Sequence, residues 1–160
     1  MRPNPSFKRS ANAQGTMTVA LSVLGAIAVV AFIVWSVRSE RRAKDKKVQE
    51  TFAGRESLSP QEFYDRYFLG LGVASEVVVG VRKILEEQLD ADMSHLRAED
   101  DFSKNLSFFW DFDSMADVEI VLAIEEHFQI KITDSETQKT HTVSELVQLV
   151  SSKVGRPSAP

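Results

Sequence analysis

The sequence predicts an all-α protein: a small helical bundle with three main helices plus one short helix, preceded by a single transmembrane helix. Two observations predict it. Apolar residues recur at helical spacing in the stretches opened by Ser75, Ser114 and Thr142, each a hydroxyl residue where a helix should begin. Met17 to Val37 is a run of about 21 uncharged residues, which as a helix spans about 30 Å, the thickness of a bilayer's hydrocarbon core. The apolar faces of three helices suffice for one core.

Charge divides the chain. The formal net of -4 is the sum of a basic half, residues 1–50 with nine Lys/Arg against three Asp/Glu, and an acidic half, residues 51–160 with ten against twenty. An acidic soluble region argues against nucleic acid, which is bound by neutralising phosphates with Lys and Arg. It suits basic protein partners. There is no cysteine, so disulfides, thiolate metal sites and cysteine nucleophiles are excluded. His95, His127 and His141 fall on different elements without metal-ligand spacing. No nucleophile elbow or phosphate-binding glycine loop is present, and no enzyme is expected.

Residues 1–16 are polar and aperiodic, the pattern of a disordered N-terminus, and Met17 is a second candidate start. The apolar run 17–37 is read as a retained anchor. A cleavable signal peptide has a shorter apolar region ending in small residues, whereas here Trp35 and the cations Arg38, Arg41, Arg42, Lys44, Lys46 and Lys47 follow at once. These cations outnumber Arg2, Lys8 and Arg9 before the run, so the protein is expected to be single-pass with its C-terminal domain in the cytoplasm.

Residues 38–58 read as a basic flank and polar linker. Residues 59–73 hold a short aromatic helix, capped by Ser59, opened by Pro60 and boxed by Glu62, with Phe63, Tyr64, Tyr67 and Phe68 on one face. That face is expected on the following domain rather than on lipid, because Asp65 and Arg66 opposite it show no basic bias. The bundle itself spans residues 74–153. Its first helix starts at Ser75 and carries the stripe Val78, Val81, Leu85 and Leu89, with Gly80 marking a close helix contact. A long loop follows, with Leu96, Phe102 and Leu106 as the residues to pin it. After the central helix, Thr133 or Asp134 caps a short turn, and Thr142 caps the last helix with its stripe Val143, Leu146, Val147 and Val150. Residues 154–160 form a tail.

The central stretch, from Trp110 to Phe128, reads WDFDSMADVEIVLAIEEHF. Ser114 is placed as the N-cap, with Asp117 completing a capping box. Met115, Val118, Val121, Leu122, Ile124 and Phe128 form the expected apolar face, leaving Asp117, Glu119, Glu125 and Glu126 for solvent. Asp113-Ser114-Met115 followed by Val118-Glu119 and Glu125-Glu126-His127-Phe128 resembles the second helix of acyl carrier proteins. The chain departs from that pattern at Trp110 and Asp111, where carriers usually have Leu-Gly.

The resemblance covers about half the chain and implies the acyl-carrier fold for residues 74–153. It implies that Ser114 bears covalent 4′-phosphopantetheine, whose thiol holds acyl groups as thioesters in fatty acid or polyketide biosynthesis. Phosphopantetheinyl transferase and acyl-activating or acyl-transferring enzymes are the implied partners, meeting Asp113, Met115, Glu119, Leu122, Glu125 and Glu126. Two readings stay open. One is a membrane-anchored carrier that serves enzymes without being one. The other is a membrane-bound adaptor that keeps the fold, lacks the arm, and docks partners through its aromatic loop and acidic helix.

Overall fold

The computed structural model describes the backbone of residues 7–155 and the side chains of residues 27–155. Among the described residues seven helices follow in order: α1 (Phe7–Thr51), α2 (Pro60–Tyr67), α3 (Ser75–Gln88), α4 (Phe109–Phe112), α5 (Ala116–Phe128), α6 (Asp134–Thr137) and α7 (Val143–Val154). The chain divides into two units, Met1–Ala43 and Lys44–Pro160.

The first unit is helical from Phe7, so residues 7–16 join α1 instead of forming a disordered arm. Residues 1–6, and 156–160 of the expected tail, lie outside the described residues. Ile27, Val29, Val30, Phe32, Ile33 and Trp35 are all exposed. Residues 17–26 of the expected span lie outside those whose side chains are described, and among the described residues no helix is long and apolar enough to cross a membrane.

The second unit starts earlier than the periodicity suggests. Residues 38–58 were expected as a linker, yet Val48, Phe52 and Leu58 are buried in the core. Lys44 Nζ donates to the Leu89 carbonyl at 3.1 Å, and cations favour that end of a helix because its last carbonyls lack partners. Isolated apolar residues in a charged stretch give no periodic signal, which is why sequence reading places a linker there.

The α2 helix forms as expected. Ser59 and Glu62 make the reciprocal capping box, and Phe63 and Phe68 are fully buried, with Tyr64 and Tyr67 packed beside them. Arg82 of α3 fixes this layer. Its guanidinium is buried, donates to the carbonyls of Leu58 at 2.6 Å and Ser59 at 3.0 Å, and stacks over the Phe63 ring at 5.3 Å. Desolvation pulls its pKa below the ordinary arginine value.

Helix α3 is the spine, touching α2, α5 and α7. Its expected stripe Val78, Val81, Leu85 and Leu89 is buried, and Lys83, Glu86 and Glu87 face water. The glycine expectation holds: a Cβ on Gly80 would lie 2.7 Å from Phe128 Cζ and 3.2 Å from His127 Nε2, so α5 approaches there as only glycine allows. In the loop, Leu96 and Leu106 are buried as expected, while Phe102 is half-buried. The last helix is capped by Thr142 and Glu145, and its stripe is buried.

Candidate functional site

The mouth of α5 differs from expectation by one residue. Helical geometry starts at Ala116, the N-cap position is Met115, and no side chain caps it. Asp113 Oδ1 accepts the Met115 N–H at 2.9 Å, the two-residue reach of an aspartate turn, and Asp117 Oδ1 accepts the N–H of Val118 at 2.8 Å. Ser114 is therefore not the cap, and the expected box with Asp117 does not form. The aspartate before it has the competing acceptor and the right spacing.

Ser114 is left exposed, in the turn that leads into α5, and among the described residues its hydroxyl has no hydrogen-bond partner. Ser107 contrasts with it, since its hydroxyl donates to the Lys104 carbonyl at 2.7 Å. A free hydroxyl at the start of a 13-residue helix suits a phosphodiester, because the helix dipole favours an anion there. Nothing needs to be broken to modify it.

Of the expected face of α5, Ile124 is buried and Phe128 packs against the core, but Ala116 and Ile120 complete the buried side in place of Met115, Val118 and Leu122. Met115 and Leu122 remain 55% and 57% exposed, and Val118 is exposed too, so these three line the outer surface. Apolar residues occur on several faces of this helix, and periodicity alone does not say which meets the core. Phe112, at the end of α4, adds an exposed ring on the other side of Ser114. Asp113, Asp117, Glu119 and Glu126 are exposed around this apolar strip.

Glu125 does not belong with them. Its side chain is 11% exposed, with one oxygen accepting the Ile132 N–H at 2.6 Å and the other the Lys131 ammonium at 2.9 Å. The Ile132 backbone bond, then Lys131, hold its carboxyl below the ordinary range. It fastens the α5–α6 turn, whose helix ends on Gln129 in the left-handed region at φ 54°.

A narrow cleft of about 110 Å³ runs between α4, α5, α6 and α7. Ile120, Val121, Ile132, Leu146 and Leu149 line it, with Phe102 and Trp110 as its aromatic wall. Sequence reading missed this cleft, because α4 lies in what reads as loop and its walls come from five separate segments. The described residues hold no cluster of His, Cys, Asp and Glu fit for a metal.

Residues 79–150 match a family described as phosphopantetheine attachment site, a span that includes Ser114. The chain is similar to the acyl carrier protein of Picosynechococcus sp., with 36% identity over 80 residues, which is 50% of this chain and 94% of that protein. The acyl carrier protein of Thermosynechococcus vestitus is 32% identical over 80 residues, 50% of this chain and 94% of its own length. That of Phenylobacterium zucineum is 36% identical over 81 residues, 51% of this chain and 98% of its own.

Proposed function

This chain belongs to the acyl carrier protein family, and from that premise we propose that it is a membrane-anchored carrier whose arm is attached at Ser114. The family's prosthetic group is covalent 4′-phosphopantetheine, and its members are non-catalytic carriers that serve other enzymes. When bound, that group supplies a thiol on a long arm, which a chain without cysteine cannot provide itself. The observation that carries the assignment is the free, exposed hydroxyl of Ser114, relieved of capping by Asp113.

The residues around it divide the remaining work. Asp113, Glu119 and Glu126 set a negative field that speeds encounter with a basic partner, the phosphopantetheinyl transferase first and acyl-handling enzymes afterwards. Met115 and Leu122 give that partner apolar area to bury at the centre of the acidic rim. Glu125 supports this surface from within the fold.

Anchoring is supported by the uncharged run 17–37, by the cations that follow it, and by the exposed apolar side chains from Ile27 to Trp35. The same charge bias favours a cytoplasmic carrier domain, where the transferase and coenzyme A meet it. Two experiments test the reading. Incubation of the full-length protein with a broad-specificity transferase and coenzyme A should add one phosphopantetheine to wild type and none to Ser114→Ala, by intact mass. A reporter fused after Pro160 should be active only if it works in the cytoplasm; activity of a reporter that needs the opposite side overturns the orientation.

A further inference from the structure

Resting on the anchored reading above, we infer that the turn from Leu69 to Gly72 is a second membrane contact, in which two leucines enter the bilayer interface and hold the carrier domain on the lipid. Among the described residues of the second unit, the large apolar side chains left exposed are those of α4 and α5 around Ser114, Val154, and the pair Leu69 and Leu71. The two leucines are the most open of these, at 66% and 62%. Their exposure follows from how the segment is held. Phe68 on one side and Val73 on the other are buried, so the turn between them is pinned at both ends. Gly70 and Gly72 have φ of 82° and 73°, and a Cβ on either would meet nothing within 4 Å. Glycine is needed there for the left-handed backbone and not for room. The turn it makes leaves both leucines outside.

Three features make lipid the partner that this turn fits. The N–H groups of Leu69 and Leu71 donate to the carbonyls of Tyr64 and Phe68, at 3.1 and 3.0 Å, so these donors are already satisfied when the turn leaves water. Residues 66–75 contain no carboxylate and a single cation, Arg66. The turn therefore meets an anionic leaflet without the repulsion that Asp113, Asp117, Glu119 and Glu126 give the apolar strip of α5. Finally, the uncharged run ends at Val37 and the second unit begins at Lys44. Residues 38–43 reach at most about 20 Å even when fully extended, so an anchored chain keeps its carrier domain at the bilayer surface. Two leucines are too few to bring a free protein to lipid, but on so short a tether the encounter is intramolecular and a small apolar contact suffices.

The chain has no cysteine, so a single introduced one carries a fluorophore at a chosen place. Ala74→Cys, at an exposed position just beyond the turn, is labelled with an environment-sensitive fluorophore and compared with Gln148→Cys, at an exposed position on α7, labelled in the same way. Each full-length protein is reconstituted in nanodiscs of mixed zwitterionic and anionic lipid that carry spin labels just below the headgroups. Fluorescence from residue 74 should be blue-shifted and quenched, and fluorescence from residue 148 neither. Adding Leu69→Ser and Leu71→Ser should lower the quenched population at residue 74 about tenfold or more, the effect of withdrawing two partly buried leucines from lipid. Equal quenching at the two positions, or none at residue 74, in protein that stays with the nanodiscs overturns the second contact and leaves the anchor intact. Quenching that persists in the serine variant, with helicity unchanged, removes the leucines as its cause and also overturns the inference. Full-length protein that separates from the nanodiscs on size exclusion overturns the anchor, and this inference with it.

Discussion

Arg55 donates through Nη1 to both carboxylate oxygens of Asp100, at 2.8 and 3.0 Å, and this pair ties the segment before α2 to the long loop before α4. Asp100 also accepts the Arg97 N–H at 2.8 Å and the Asn105 amide at 2.7 Å, so its lone pairs are shared among three partners. The side chains are 16% and 5% exposed, which places the pair in the regime where losing one member strands a charge. Arg55→Ala should lower the unfolding free energy by about 3 kcal/mol, read as a shifted urea midpoint with an unchanged slope. A shift within the range of ordinary surface substitutions, about 0.5 kcal/mol, would mean the N-terminal layer is not integral to the fold.

Gly80 tests the helix packing. Alanine there gains about 1 kcal/mol of helix propensity, but its Cβ would press on the Phe128 ring at 2.7 Å, and overpacking costs about 1–3 kcal/mol. Gly80→Ala should therefore be net destabilising, and Phe128→Leu in the same protein should recover part of the loss. A more stable Gly80→Ala would show that the ring moves freely.

On α5, stability and docking should separate by residue. Glu119→Lys changes an exposed charge and should leave the thermal midpoint nearly unchanged, while slowing association with the transferase and weakening its salt dependence. Glu125→Ala leaves the Ile132 N–H without its acceptor and should cost about 1–3 kcal/mol. Equal stability of the two variants would refute the structural role given to Glu125.

Acid should loosen the α6 region through Glu136. Bonds from the Thr133 backbone, then from Lys153 and the Thr133 hydroxyl, lower its pKa from 4.5 to about 2. A carboxyl depressed in the folded state contributes stability that is complete above its unfolded pKa and is lost as pH falls through its folded pKa. Unfolding midpoints should therefore fall between about pH 4.5 and pH 2, with a shallower fall in Glu136→Gln. Identical profiles for the two proteins would exclude Glu136 as a contributor.

Much of this architecture is legible from local signals. Ser59-Pro60 with Glu62, and Thr142, announce helix starts that the structure keeps, because a cap needs only neighbouring residues. The stripe of α3 is readable because its other face is charged. The buried face of α5 is not, since apolar residues lie almost all around that helix and only tertiary packing selects Ala116, Ile120 and Ile124. Glu125 looks like its acidic neighbours until the turn brings Ile132 and Lys131 to it. At the site itself Asp113 and Ser114 are adjacent residues with equal cap preference, and the backbone's register decides that the aspartate binds and the serine stays free.

That freedom has a consequence for stability. Ser114→Ala removes no bond within the described residues and should change the unfolding free energy by less than about 0.5 kcal/mol, whereas Asp113→Ala loses the bond to Met115 and should cost about 1 kcal/mol. Unequal folding therefore cannot explain a failure of Ser114→Ala to accept the arm.

The most direct measurement is made on the full-length protein purified from the cells that produce it. Trypsin cleaving after Lys104 and Lys131 releases residues 105–131, which contain two serines, Ser107 and Ser114. Fragmentation of that peptide should place a single 4′-phosphopantetheine on Ser114 and leave Ser107, whose hydroxyl is bound to the Lys104 carbonyl, unmodified. A peptide recovered wholly without the group, or carrying it on Ser107, would contradict the attachment of the arm at Ser114.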